Sequence, residues 1–249
     1  MEQLIYTLLA YLNNSLKKDI NYDIAQSLLE HIHDLEHFSL ESVSEACHVA
    51  PSTINRFCKR IGFKNFSYLR NSVTLTSQLP THEDELSSQN FVHQLNENLT
   101  YIDEIPTDQI DRIVKLLYQS RRIVILGFEK HQVQAMELQK KLFLLGKLCE
   151  CGTNLYKQLD TLNDLSEEDL VITISIKGNI LSESYPIMDK IKSAKGKKLL
   201  VTFSSELSTL DNFNEILLCG KLENSSVSSY TLLRLFDVII YRYQRLMEK

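Results

Sequence analysis

Residues 38–70 read FSLESVSEACHVAPSTINRFCKRIGFKNFSYLR, and this stretch encodes two short helices joined by a tight turn. Ser39 is suited to cap the first helix, along which apolar residues recur at helical spacing. Pro51 is tolerated in the first turn of a second helix, and Gly62 is suited to end it in a left-handed conformation. Between these two signals, three apolar residues at helical spacing predict a buried stripe: Ile54, Phe57 and Ile61.

The other faces of the second helix carry polar and basic side chains. This is the pattern of a helix-turn-helix whose second helix enters the major groove of DNA. The candidate DNA-binding residues are Ser52, Thr53, Asn55, Arg56, Lys59, Arg60 and Lys64. Arg pairs with guanine and Asn with adenine, so Arg56 and Asn55 are the best candidates for base contacts. Ser52 and Thr53 are suited to contact bases or phosphate. Lys59, Arg60 and Lys64 are suited to contact phosphate.

The charge distribution favours the same interpretation. Residues 46–82 contain no Asp or Glu but five basic residues, whereas the whole chain has a net charge of -5. A local basic face on an acidic protein is typical of phosphate contact. The alternative is an ordinary solvent-exposed helix face that carries Lys and Arg, or a face that packs onto another protein. The agreement of turn, cap, stripe and charge favours DNA.

The composition is that of a globular protein, with 249 residues, 43% hydrophobic and 24% charged. No apolar run is long enough for a membrane span, and residues 1–18 predict an amphipathic helix rather than a signal peptide. The five cysteines suggest reduced thiols in a cytoplasmic protein. Cys149 and Cys151 are too close for zinc, and His33 and His37, which would share a helix face, lack further ligands. We expect no metal site and no cofactor.

The chain divides into a helical part and a part with strands. Helices are predicted at 1–13, 22–35 and 66–75, a polar linker at 76–88, and further helices at 91–105 and to 118. From residue 121, short apolar runs alternate with helices, which predicts a doubly wound, flavodoxin-like α/β three-layer sandwich with a parallel sheet. The runs are 121–127, 147–151, 169–175, 197–203 and 215–220, followed by a helix at 227–247. Ligands of such sheets bind at the carboxyl ends of the strands.

Residues 50–70 resemble the recognition helix and following turn of the RpiR-type (also MurR-type) bacterial transcription regulators. That family joins a helix-turn-helix domain to a sugar isomerase (SIS) domain. The resemblance implies a DNA-binding domain at 1–76, a linker and connecting helix at 77–105, and a SIS-like ligand-sensing and dimerisation domain at 106–249. It also implies a double-stranded DNA operator, a sugar-phosphate effector, and a homodimer or dimer of dimers.

The phosphate-binding motifs depart from the family pattern. Gly-x-Gly-x-Ser is here Gly127-Phe128-Glu129-Lys130-His131, and Ser-x-Ser-Gly-x-Thr is Ser175-Ile176-Lys177-Gly178-Asn179-Ile180. The third strand end keeps Thr202 and Ser204. The candidate effector-binding residues are therefore Gly127, Lys130, His131, Ser175, Lys177, Gly178, Thr202 and Ser204.

Two outcomes for this site stay open. Lys130, His131 and Lys177 would supply charge for an anion in a changed geometry, or the pocket is lost and the domain only dimerises. A sugar-phosphate isomerase is the enzymatic alternative, with Glu129 and Glu183 as the nearest carboxylates. Because the phosphate loops are degraded, we expect no catalytic residues. The family resemblance implies a regulator of sugar or amino-sugar metabolism.

Overall fold

The structure is a computed structural model that describes residues 2–74, 88–128, 131–153, 155–176, 186–205, 210–221 and 226–248. The chain divides into two units, Met1–Pro80 with Thr153–Lys157, and Thr81–Gly152 with Gln158–Lys249. The predicted linker, 76–88, lies outside the described residues except for its last residue. The predicted domain boundaries therefore stay predictions.

The described residues of the first unit include five helices before residue 75: α1 (Glu2–Asn14), α2 (Ile20–Glu30), α3 (Leu40–Ala46), α4 (Pro51–Arg60) and α5 (Phe66–Thr74). Their apolar faces meet in one core that includes Leu8, Ile24, Leu28, Phe57 and Leu69, each at most 1% exposed. Tyr11 packs edge-on against Phe57, with 5.3 Å between the ring centroids. The N-terminal helical domain expected from the sequence is confirmed.

Helix α2 differs from the prediction at both ends. It begins at Ile20 because the Asp19 carboxylate accepts hydrogen bonds from the backbone N–H groups of Asn21, at 2.9 Å, and Tyr22, at 3.1 Å. The bond from Tyr22 is the main reason that the pKa of Asp19 is lowered. The helix ends at Glu30, and turns follow over 31–37. The prediction that His33 and His37 share a helix face was therefore wrong.

The second unit contains a five-stranded parallel sheet flanked by helices. Its elements are α6 (Ser88–Asp103), α7 (Thr107–Gln119), β1 (Ile123–Gly127), α8 (Gln132–Leu144), β2 (Cys149–Glu150), β3 (Leu170–Ile174), α10 (Pro186–Ser193), β4 (Lys197–Thr202), β5 (Glu215–Leu218) and α11 (Val227–Met247). Helix α9 (Leu155–Thr161), which the sequence analysis missed, begins in the segment assigned to the first unit. The strand order is β2-β1-β3-β4-β5, so the predicted doubly wound sheet is confirmed.

The register of the sheet brings three strand ends together. Gly127 pairs with Ile174, and Ile174 pairs with Val201. The order reverses between β1 and β3, which makes this pair of strands the topological switch point. Both strands are buried along their whole length, as expected for apolar runs in a parallel sheet.

Ion pairs attach the C-terminal helix to the helices that open the second unit. The Arg242 guanidinium in α11 binds both carboxylate oxygens of Asp111 in α7. Arg234 in the same helix donates to Asp103 of α6 at 2.6 Å. The predicted connecting helix is thus part of the second unit. No helix in the described segments is long and apolar enough to cross a membrane.

Candidate nucleic-acid interface and ligand site

The turn between α3 and α4 sets the orientation of α4 relative to α3. Ser39 caps α3, as predicted, by accepting a hydrogen bond from the Ser42 N–H at 3.1 Å. Two residues beyond the last residue of α3, His48 adopts the left-handed conformation, at φ 53°. The Val49 N–H donates to the Ser44 carbonyl at 2.9 Å, which closes a Schellman motif. Glycine usually holds this position, because it has no Cβ to crowd the backbone.

Helix α4 follows the sequence signals closely. Pro51 is its first residue, and Gly62 follows its end in the left-handed region, at φ 94°. The Phe63 N–H donates to the Cys58 carbonyl at 2.8 Å. The predicted stripe is buried, with Ile54 and Phe57 at 0% exposure and Ile61 at 8%. The burial of this stripe leaves the polar faces of α4 at the surface.

The surface of α4 brings the basic candidates together. Ser52, Arg56, Lys59 and Arg60 are exposed, and so is Lys64 just beyond the helix. At about 100° per residue, Ser52, Arg56 and Lys59 project within roughly 60° of one another. The first turn of α4 contains no acidic residue, so the positive end of the helix dipole adds to this charge. The Arg56 guanidinium donates to the Thr53 hydroxyl at 3.1 Å, which orients it along the helix.

Asn55 has a second role that its sequence position does not reveal. Its Oδ1 accepts a hydrogen bond from the Phe66 N–H, in the first turn of α5, at 3.0 Å. Asn65, just before α5, accepts a hydrogen bond from the Tyr68 N–H at 3.1 Å. A bidentate contact with adenine needs Oδ1 of Asn55 as an acceptor. Since that oxygen already holds α5, Arg56 is the stronger candidate for base contact, and the role of Asn55 at a base stays a prediction.

At the sheet edge, Gly127 allows β1 and α8 to approach closely. A Cβ built on Gly127 would lie 2.6 Å from the Ala135 Cβ and 3.0 Å from the Gln132 Cα. Such distances are too short for any side chain. The glycine that survives from the first phosphate motif is therefore required by packing.

Of the other effector candidates, Lys130, Lys177 and Gly178 lie outside the described residues. His131 is 3% exposed, and its Nε2 lies 2.8 Å from the hydroxyl of Ser228 in the first turn of α11. The Thr202 hydroxyl donates to the Ile176 carbonyl at 3.2 Å and accepts from the Ser204 N–H at 3.1 Å. His131 and Thr202 thus have partners within the protein, and both help to hold the loops at the strand ends.

Ser175 and Ser204 also lie at these strand ends. Ser175 is 5% exposed, and its backbone N–H donates to the Val201 carbonyl at 3.1 Å. Ser204 is half-buried. The ends of β1, β3 and β4 therefore bring Gly127, Ser175 and Thr202 to one edge of the sheet.

A pair of glutamines that the sequence analysis did not single out lies at the same edge. Gln158 Nε2 donates to the carbonyl oxygen of Gly152 at 2.7 Å and of Gly127 at 3.2 Å. Gln132 Oε1 lies 2.8 Å from the same nitrogen, so the two hydrogens of this amide are shared among three acceptors. Gln158 lies on α9, and the short sequence of that helix carries no clear periodic signal.

The neighbouring cysteines are thiols rather than a reactive pair. Burial raises the pKa of Cys149 to about 12 and that of Cys151 to about 11. A thiol with so high a pKa is a weak nucleophile at neutral pH. In the described part of the chain, no group of three His, Cys, Asp or Glu side chains is placed to hold a metal ion.

Comparison with known proteins supports both the helix-turn-helix of the first unit and the sheet of the second. The profile of the helix-turn-helix domain of the rpiR family matches residues 6–79. An uncharacterised HTH-type transcriptional regulator of Haemophilus influenzae is 23% identical over 226 residues, covering 83% of this chain and 78% of the relative.

Two solved structures share the fold. The Vibrio vulnificus NanR protein, complexed with ManNAc-6P, is 18% identical, with a TM-score of 0.54 over 96% of this chain and 91% of that one. A Methanococcus jannaschii protein has a TM-score of 0.52 at 15% identity and covers 64% of this chain and 92% of its own. A 3-hexulose-6-phosphate isomerase function was inferred for it from its structure. The second unit therefore has the sugar isomerase fold.

Proposed function

We propose that the chain is a helix-turn-helix regulator of the RpiR type and that it binds operator DNA under the control of a small effector. The effector is a sugar phosphate or a related anion held at the sheet edge of the second unit. The regulated genes belong to sugar or amino-sugar metabolism. The observation that carries this proposal is the exposed, acid-free face of α4 on a protein of net charge -5.

DNA recognition follows from the geometry of α4. Ser52, Arg56 and Lys59 share one exposed face, so α4 can lie in a major groove with Arg56 towards a guanine edge. Lys59, Arg60 and Lys64 would bind phosphates and fix the register, while Ser52 and Thr53 lie near the positive end of the helix dipole. Helix-turn-helix proteins usually bind paired half-sites as dimers, so we propose a homodimer or a dimer of dimers in the cytoplasm.

The effector site is proposed at the switch point between β1 and β3. Support comes from the register that joins Gly127 to Ile174 and from NanR, which has the same fold and is complexed with a sugar phosphate. His131 and Thr202 already have partners in the protein. Any anion would therefore depend on backbone N–H groups and on Lys130 and Lys177 more than on hydroxyl groups.

The Arg56→Ala variant tests the DNA-binding assignment. A duplex library is selected on the full-length protein, and affinity for the selected site is measured by fluorescence anisotropy at fixed salt. Because a bidentate Arg–guanine contact is lost, we expect binding to weaken by about 1–3 kcal/mol and discrimination to fall at one base pair.

Lys195→Ala is the matched control, since it removes one exposed positive charge from the second unit. It should leave the affinity for the selected site unchanged. Equal affinities for Arg56→Ala and the parent protein would show that Arg56 does not read the operator.

Two further assays test the effector and the enzymatic alternative. Thermal denaturation is followed with a panel of sugar phosphates, because a ligand at a hundred times its Kd adds roughly 2.7 kcal/mol to the stability. Turnover of the same hexose phosphates is measured in parallel. We expect binding without turnover, whereas isomerisation by the purified chain would establish an enzyme.

A further inference from the structure

The carboxamide of Gln158 has an orientation that the backbone fixes. The residue is 1% exposed, and its Nε2 lies within hydrogen-bonding distance of the Gly152 and Gly127 carbonyl oxygens. Carbonyl oxygens only accept hydrogen bonds, so a flipped amide would bring Oε1 against two acceptors. The same reasoning orients Gln132, whose Oε1 accepts from Gln158 and whose Nε2 donates to the Cys151 Sγ at 3.3 Å.

With Nε2 committed in this way, Oε1 of Gln158 is an oriented and buried acceptor. Within the described segments, no donor lies within hydrogen-bonding distance of it. A buried acceptor without a donor is costly, and native proteins rarely keep one without a reason. A donor that comes from outside the chain would remove that cost.

Gln158 lies close to the strand ends at which an external donor is expected to bind. Its Nε2 binds the carbonyl of Gly127, the last residue of β1, and Gly127 pairs with Ile174 at the end of β3. These two strands form the switch point, where doubly wound sheets bind their ligands. The side-chain amide of Gln158 therefore lies beside the strand end at which a ligand is expected.

We propose that Gln158 is a specificity-determining residue of the effector site and that its Oε1 accepts a hydrogen bond from a hydroxyl group of the effector. The inference rests on the proposed function and narrows the ligand class. It favours a hydroxylated molecule such as a sugar phosphate over inorganic phosphate, which offers chiefly acceptors at neutral pH. A site built to bind a hydroxyl group discriminates strongly against the analogue that lacks it.

The test uses the full-length protein and isothermal titration calorimetry. The probes are the tightest-binding hexose 6-phosphate of a panel, its monodeoxy analogues and inorganic phosphate. In the parent protein, a single deoxy analogue should bind at least about tenfold more weakly than the intact sugar phosphate. This measurement needs no substitution, so it stays informative if a variant fails to fold.

The Gln158→Met variant then identifies the acceptor. It should bind the intact sugar phosphate about tenfold more weakly, and it should no longer distinguish that compound from the deoxy analogue. Affinity for inorganic phosphate should change less than about twofold. Gln132→Met is the control, because it disturbs the same hydrogen-bond network but keeps Oε1 of Gln158. This variant should still bind the deoxy analogue more weakly than the intact sugar phosphate.

Two results would overturn the inference. If sugar phosphates bind and Gln158→Met keeps the full discrimination between the intact and deoxy compounds, Gln158 is not the acceptor and the proposed function stands. If no sugar phosphate binds the parent protein, the effector part of the proposed function fails and this inference fails with it.

Discussion

At the residue scale, the structure distinguishes side chains that are placed for recognition from those that hold the fold. Arg56 is exposed and oriented by Thr53, whereas Asn55 supports α5. His131 and Thr202 are polar residues of the kind that bind ligands, but their side chains have hydrogen-bond partners inside the protein. Residue type alone could not separate these roles, because each depends on contacts between segments distant in sequence.

His48 offers a prediction about stability at this scale. An L-residue in the left-handed region costs about 1–2 kcal/mol, while glycine there loses about 0.5–1 kcal/mol in backbone entropy. We therefore expect His48→Gly to stabilise the protein by roughly 0.5–1 kcal/mol, measured from the urea midpoint. His48→Val should destabilise it, since a β-branched side chain tolerates this conformation poorly. A lower midpoint for the glycine variant would count against strain at this turn.

At the element scale, local signals predicted the helix-turn-helix and the strands well. Ser39 and Asn65 act through hydrogen bonds to nearby residues. Pro51 and Gly62 act through their own backbone conformation, so all four effects are visible in the sequence. Both ends of α2 differ from the prediction, because Asp19 caps the helix at Ile20 and the apolar pattern continues past Glu30 into turns. Helix α9 was not predicted because its 7 residues are too few to give a clear periodic signal.

The contact between α4 and α5 yields a prediction that separates folding from DNA binding. Asn55→Ala should destabilise the protein by about 1–3 kcal/mol in urea denaturation, because the Phe66 N–H loses its acceptor. Asn55→Asp keeps an acceptor at the N-terminus of α5 and should stay near the parent stability. Its added negative charge should weaken binding to DNA in the anisotropy assay. Equal destabilisation by both substitutions would exclude the hydrogen bond as the cause.

At the scale of the whole molecule, buried thiols occur in both units. Burial raises the pKa of Cys58 and Cys149 from 9.0 to about 12 and that of Cys151 to about 11. The unfolded chain therefore releases these protons at lower pH than the folded protein does. The stability that the thiols contribute is complete below about pH 9 and is lost as the pH rises towards 11 to 12.

The alkaline dependence can be measured directly. We expect the urea midpoint to fall between about pH 9 and pH 11, where the unfolded thiols ionise and the buried ones still hold their protons. Cys58→Ala should show a smaller fall than the parent protein, because one of the contributing groups is absent. An unchanged midpoint across this range would contradict the burial of the thiols.

The fold of the whole molecule was predictable because two strong patterns, a capped helix pair and five apolar runs, each specify one architecture. The ligand site was less predictable, since the retained motif residues serve packing and loop hydrogen bonds. Gly127 is required by the approach of Ala135, and the oriented acceptor of Gln158 depends on carbonyl groups brought together only by folding.

The central claim is that ligand binding in one domain controls DNA binding by the other. The most direct test measures the Kd of the full-length protein for its selected operator at fixed salt, with and without a saturating sugar phosphate. The account predicts a change of about 5- to 150-fold, and by linkage the operator should change the affinity for the sugar phosphate by the same factor. Identical operator affinities with and without a bound sugar phosphate would contradict it.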